Sequence, residues 1–142
     1  MSAEARKALE RRLIEEVWNK GNLDFAEECF TPDYVNHDPS SPEGIRGPEG
    51  FKQNVAAIRA AFPDFRMEIV DQVAEGEKVV TRYVITGTQK SELAGIPPSG
   101  RRIEVAGMGI DYFRGDKICE SWEYYDMLGM MQQLGAIPYP EE

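Results

Sequence analysis

PPSGRRIEVAGMGIDYFRGDKICESWEYYDMLGMMQQLG, residues 97–135, is the stretch whose reading decides the fold. A Pro-Pro turn leads into two predicted strands, residues 101–113 and 117–126, joined around Arg114-Gly115-Asp116. A short helix over residues 127–134 follows and is closed by Gly135. The second strand carries Glu120, Glu123 and Asp126 among Trp122, Tyr124 and Tyr125. Carboxylates in such company either face water or line a partly apolar cavity, and only the second position makes acid–base chemistry possible.

Upstream, the period-two pattern begins at Phe65 and runs through Met67, Ile69, Asp71 and Val73 to a turn at Glu75-Gly76-Glu77, then resumes over residues 78–89. These pieces and the last two strands predict a four-stranded antiparallel meander. Before it the period is helical. Residues 3–19 place Leu9, Leu13, Val17 and Trp18 on one face, with Lys20-Gly21 as the stop. Asn22 is a predicted cap for a short helix over 23–29. Tyr34 to Asp38, which holds His37, reads as a brief extended piece, and residues 39–47 as a loop. Pro48 opens a third helix with the stripe Phe51, Val55, Ile58 and Phe62, stopped by Pro63. Helices first and a long sheet afterwards mean α+β: a curved antiparallel sheet wrapped around three N-terminal helices, as one domain over residues 1–142.

Composition narrows the partners. The formal charge is −9, with no cluster of Lys or Arg, which excludes nucleic acid and anionic membrane surfaces and leaves a small molecule or another protein. Two cysteines, Cys29 and Cys119, make no disulfide framework and no metal-ligand spacing, and His37 is the single histidine, so neither a metal nor another cofactor is expected. With no apolar leader and no run near the roughly 20 residues of a bilayer span, the expected location is the cytoplasm. Large apolar residues on both faces of the last two strands exceed what one core buries, so the outer face is expected to pair two copies as a homodimer.

The turn of the last hairpin sets which side chains share a face. A three-residue loop, Arg114 to Asp116, sets Gly109 opposite Ser121 and Gly107 opposite Glu123, with Met108, Ile110, Tyr112, Ile118, Glu120, Trp122, Tyr124 and Asp126 on the other face. A two-residue loop at Gly115-Asp116 sets Asp111 against Glu120, like charges directly opposed. The three-residue loop is the favoured reading, and it leaves room for a ligand over Gly107.

The stretch GIPPSGRRIEV, the strand Glu120-Ser121-Trp122-Glu123, and the closing Asp126-x-Leu128-Gly129-x-x-x-Gln133-Leu134-Gly135, in this helix-then-sheet order, resemble the SnoaL-like polyketide cyclases of the NTF2-like superfamily. The resemblance implies a cone-shaped α+β barrel and cofactor-independent acid–base catalysis on a small, mostly apolar substrate. Where that family carries a His-x-Asp pair this chain has Ser121 and Glu123, and where it has a histidine on the preceding strand this chain has Gly109. Trp18 and Asn54 align with positions that line the family's substrate pocket.

The leading reading is therefore proton abstraction next to a carbonyl, as in an intramolecular aldol cyclisation or a related isomerisation. Glu123 is the base, with Asp126 or Glu120 as alternatives, and His37 or Asn54 orients the substrate oxygen. Trp18, Asn54, Val55, Ile58, Gly107, Gly109, Ser121 and Tyr125 form the pocket wall, and Leu93 and Ile96 lie on a loop that is either a plain connection or a lid. Asp126 has a second reading as the N-cap of the last helix, and His37 as a surface turn residue. The competing class is a binding module of the same fold without turnover. An epoxide hydrolase is weaker: Tyr124-Tyr125-Asp126 resembles those enzymes, but Arg82 is followed by Tyr83 and Val84 where an Arg-x-Asp pair is needed.

Overall fold

Ser2 caps the first helix, α1 (Ala3–Leu13), by accepting from the Ala5 N–H at 3.0 Å. The helix continues as a π-helical segment, Ile14–Asn19, and stops at Gly21, whose φ of +77° suits glycine. Two side chains fix this wider turn. Asn19 pairs with both backbone groups of Met67, at 2.8 and 3.0 Å, and Arg59 caps the Trp18 and Asn19 carbonyls at 2.6 and 3.0 Å. Trp18 is thereby held between Phe51 and Phe65. A short 3-10 turn, Leu23–Phe25, and α2 (Ala26–Cys29) follow, without the expected side-chain cap from Asn22. The third helix, α3 (Gly47–Ala61), has Pro48 in its first turn as predicted. The structure is a computed structural model and describes residues 1–140.

The sheet has six strands: β1 (Phe30–Asp38), β2 (Ser41–Arg46), β3 (Arg66–Glu75), β4 (Lys78–Thr88), β5 (Arg102–Arg114) and β6 (Lys117–Tyr125), in the order β2-β1-β6-β5-β4-β3. The last four are the predicted meander. Its two additions come from the segment read as a short extended piece and a loop, which instead folds back as a hairpin and joins β6 in parallel. Pro39, Pro42 and Gly44 masked that strand character, and Pro42 is tolerated because β2 is an edge strand. The sheet is curved and does not close, with β2 and β3 at its edges. The concave face packs on the helices, and α4 (Met127–Gln133) returns across β5 to bury Leu134.

Two bulges correct the predicted alternation. In β3 the register shifts between Ile69 and Asp71, so Ala74 rather than Val73 packs against the core, and Val73 is 60% exposed. In the last hairpin the turn is the two-residue one, Gly115-Asp116, with Gly115 at φ +65° in the first central position of a II′-type turn. An extra residue then enters β6 at Cys119. The like-charge clash that argued against this turn disappears, because the bulge sets Glu120 opposite Tyr112 and Ser121 opposite Asp111. Glu123 consequently faces Gly109, not Gly107, and Ile118 joins the buried face instead of the outer one.

Candidate active site

The concave face and the helices enclose a cavity of about 430 Å³, within the usual range for small-molecule sites. Strand register arranges its sheet wall in rows. Asn36, Ser121, Asp111 and Val79 lie side by side, then Glu123, Gly109 and Thr81, then Tyr125, Gly107 and Tyr83. The two glycines in this wall serve their neighbours. A Cβ at Gly109 would stand 2.6 Å from the Glu123 carboxyl carbon, and one at Gly107 would stand 2.6 Å from the Tyr83 ring. Glu123 leans over one glycine, Tyr83 over the other, and the Tyr83 hydroxyl donates to Glu123 Oε2 at 2.9 Å. The expected room for a ligand above Gly107 is thus filled by Tyr83.

Burial is the main reason the Glu123 carboxyl is pushed up to about 8; the negative charge of Asp111 adds to it and the Tyr83 hydrogen bond opposes it. Asp38, a further acid of the wall, pushes the same way. Asp38 itself accepts from the Ser40 backbone N–H at 2.8 Å and from the Ser40 hydroxyl. Asp111 accepts from the Ser121 hydroxyl, whose oxygen accepts from Tyr34 at 2.8 Å. Glu10, from α1, completes the acidic set, its carboxyl held far above the ordinary range by burial and by Asp111. Among the described residues these acids are not arranged as a group that could hold a metal ion.

Of the residues expected at the site, the cavity brings together Glu123, Trp18, Asn54, Ile58, Gly109, Ser121, Tyr125, Leu93 and Ile96. Leu93 and Ile96 pair backbone to backbone around Ala94-Gly95, and the buried Gln89 ties this small hairpin down through the Ile96 carbonyl and the Ser99 N–H. Four of the expected residues lie outside the cavity lining, Asp126 in its second reading as a helix cap. Val55 is fully buried in the adjoining core, and Gly107 is covered by Tyr83. Asp126 caps α4, accepting from the Gly129 N–H at 2.9 Å. His37 points to the outer face of the sheet, stacked on Trp122 with ring centroids 3.7 Å apart and 2.9 Å from Glu120. Strand alternation explains this: Tyr34, Asn36 and Asp38 face inward, so His37 faces outward.

Sequence reasoning missed Glu10, Asn36, Asp38, Tyr83 and Asp111. Each had a signal. Glu10 lies on the stripe of Leu13, Ile14 and Val17, where a carboxylate has no solvent. Asp111 shares its face with Ile103, Val105 and Phe113, and Tyr83 with Val79 and Thr81.

The model of the SnoaL-like polyketide cyclase family matches residues 8–134. The chain belongs to that family. It is 31% identical over 132 residues to the aklanonic acid methyl ester cyclase AcmA of Streptomyces galilaeus, covering 92% of this chain and 90% of that one. Against the nogalonic acid methyl ester cyclase of Streptomyces nogalater the identity is 33% over 129 residues, covering 89% and 94%. Among solved structures, TsrD from Streptomyces laurentii superposes with a TM-score of 0.87 at 28% identity, over 96% of this chain and 99% of that one. IdmH from Streptomyces antibioticus does so with a TM-score of 0.77 at 33% identity, over 92% and 98%. The fold of this SnoaL-like cyclase is the family's, and no helix among the described residues is long and apolar enough to cross a membrane.

Proposed function

We propose that this chain closes a ring in a polyketide-type methyl ester by intramolecular aldol addition, with Glu123 as the base. The observation that carries the reading is the placement of Glu123: a carboxylate on the concave wall of a mostly apolar cavity, steadied by Tyr83 and pushed toward neutral pH by burial. A base with that affinity for protons removes a hydrogen next to a carbonyl far better than an exposed glutamate does. Trp18, Ile58, Leu93, Ile96 and Tyr125 supply flat apolar walls for a ring system, and Asn54 offers a polar group from α3. The relatives' names supply the probes. Aklanonic acid methyl ester and nogalonic acid methyl ester are incubated with the purified chain, and cyclised product is followed by chromatography. Ligand binding without any product from either ester would favour a binding module instead.

The outer face of the sheet supports a homodimer. Met108 and Tyr124 lie opposite each other across β5 and β6, and Trp122 lies opposite Ile110; Met108, Trp122 and Tyr124 stay exposed. The occupant is a second copy of this chain, and light scattering should give twice the 16.0 kDa of one chain, reverting to one on Tyr124→Arg. Strict monomer at micromolar concentration would remove this part. Two free thiols, one of them the buried Cys29 pushed up to about 12 by its burial, support a reducing, cytoplasmic setting, which cell fractionation checks.

A further inference from the structure

Glu10, from α1, and Asp111, from β5, line the same cavity, near enough for the charge of Asp111 to bear on Glu10. Two carboxylates buried in one wall cannot both ionise cheaply, so the pair holds one proton. Burial pushes the Asp111 carboxyl up as well, but Asp111 accepts from Ser121, itself held by Tyr34, whereas Glu10 leaves Oε1 without a donor, so Asp111 is the one of the two whose ionised form is better supported. The proton therefore resides on Glu10. Glu10 is 3% exposed, and its Oε1 has no partner among the protein's donors. Arg6, one helical turn earlier, gives its guanidinium to the carbonyls of Gly76 and Gly115, at 2.7 and 3.2 Å. The other acids of the cavity, Glu123 and Asp38, only add negative charge.

A second, independent feature lies beside the pair. Asn36 is 5% exposed, stands next to Ser121 in the sheet, lines the same cavity, and leaves its Oδ1 without a partner. A buried amide oxygen left unpaired costs on the order of 1–3 kcal/mol, so this position is built for a group that brings its own donor. An acid that holds a proton and an acceptor that lacks one thus share one wall.

We propose that Glu10, backed by Asp111, is the donor that protonates the substrate's oxygen, and that Asn36 accepts the hydrogen bond of the hydroxyl so formed. The ligand group is a ketone or aldehyde carbonyl that becomes an alcohol. This role rests on the cyclisation reading and completes its proton balance. Glu123 takes the proton from the carbon next to one carbonyl, and the C–H pair becomes an enolate. The enolate carbon bonds to the acceptor carbonyl carbon, the carbonyl π pair moves to oxygen, and that oxygen takes the proton of Glu10. Substrate and product are isomers, so no oxidant or reductant enters. Glu123 ends protonated and Glu10 ionised, and water admitted as product leaves carries the proton back. Because its members cannot both ionise cheaply, the pair keeps the Glu10 proton in place until an alkoxide, far more basic than any carboxylate, forms beside it and takes that proton.

The test has an arm that needs no substrate. Wild-type protein with carboxyl-labelled glutamate is followed by carbon NMR from pH 5 to 9. Two glutamate carboxyls should be largely neutral at pH 7: one is lost in Glu123→Gln, and the other is lost in Glu10→Gln and titrates at lower pH in Asp111→Asn, where the like charge is gone. The second arm follows aklanonic acid methyl ester in deuterium oxide. Glu10→Gln should keep exchange of the acidic carbon-bound hydrogen within about threefold while ring closure falls about 100-fold, whereas Glu123→Gln should lose both. An ionised Glu10 at pH 7, near-normal ring closure in Glu10→Gln, or equal loss of exchange and closure in that variant would each overturn the role. Exchange that survives in Glu123→Gln would instead sink the Glu123 assignment while leaving the NMR result intact. A chain that neither exchanges nor closes the ester defeats the cyclisation reading and this role together, even if the neutral carboxyl is seen.

Discussion

Strand β6 carries two glutamates three residues apart, and they live in different solvents. Glu120 faces outward, its side chain 39% exposed and paired with His37, on a surface of Trp122, Tyr124 and Met108. Glu123 faces inward onto apolar walls, bonded to Tyr83 and crowded by Asp111. The same side chain is a surface partner in one place and a perturbed acid in the other. Chemistry here is set by the face, and the face is set by a bulge at Cys119 and a two-residue turn. Two substitutions that differ only in face test this most sharply. Glu123→Gln should cost about 100-fold or more in ring closure, while Glu120→Gln should stay within about twofold, measured as kcat/KM on either ester. In wild type the same quantity should rise with pH until it levels near pH 8, because the base must lose its proton first. Equal losses in the two variants would abolish the distinction between the faces.

The glycines of the inner wall give the next largest effect. A methyl at position 109 has no space while the Glu123 carboxyl lies across it, and a methyl at 107 meets the Tyr83 ring. Gly109→Ala and Gly107→Ala should each destabilise by roughly 1–3 kcal/mol in urea unfolding, and displace the Glu123–Tyr83 bond enough to lower turnover about tenfold. Alanine at Met108, on the outer face between them, should leave turnover unchanged. A neutral Gly109→Ala would mean that Glu123 does not lie across that glycine.

Stability against pH compares the faces in another way. Glu123 binds its proton more tightly folded than unfolded, so its contribution is fully present below about pH 4.5 and is lost as pH rises through about 8. Glu10, raised by its burial, acts with the same sign. Denaturant titrations should show stability falling by on the order of 1 kcal/mol between pH 5 and 8, an amount kept small because Glu123 is only partly buried. Glu123→Gln should flatten part of that slope. A slope of the opposite sign would show that the inner carboxylates are solvated.

The helices and the four-strand meander were legible from residue periodicity, whereas the inward face of Glu123 was expected from a three-residue turn and is reached instead by a two-residue turn plus one extra residue at Cys119, which together restore the same face. Register was not legible. Bulges at Val70 and Cys119 insert one residue without any glycine or proline to mark them, and each flips the faces downstream. The β1–β2 hairpin was hidden by turn-forming residues at a sheet edge. Glu10 and Asp111 were passed over because acids read as solvent-facing, although both sit on stripes that are otherwise apolar. Helix position alone could have placed Glu10, but its pairing with Asp111 joins residues a hundred positions apart and needed the fold.

His37 gives the smallest effect and the cleanest contrast with its neighbour Asp38. Adjacent in sequence, they lie on opposite faces of β1, Asp38 in the cavity and His37 on Trp122. Stacking at 3.7 Å is the kind of aromatic contact worth about 0.5–1.5 kcal/mol, and the half-exposed pair with Glu120 adds at most about 1 kcal/mol. His37→Ala should therefore lower stability by about 1 kcal/mol and leave kcat/KM within twofold. His37→Phe separates the two contributions, since it keeps a ring against Trp122 and loses the bond to Glu120; it should recover most of the loss if stacking dominates. Asp38→Asn, by contrast, removes a charge that faces Glu123, so it should shift the pH at which turnover levels off downward while barely moving stability. A more than tenfold fall in kcat/KM for His37→Ala at unchanged thermal stability would require the histidine to reach substrate, which its outward position forbids.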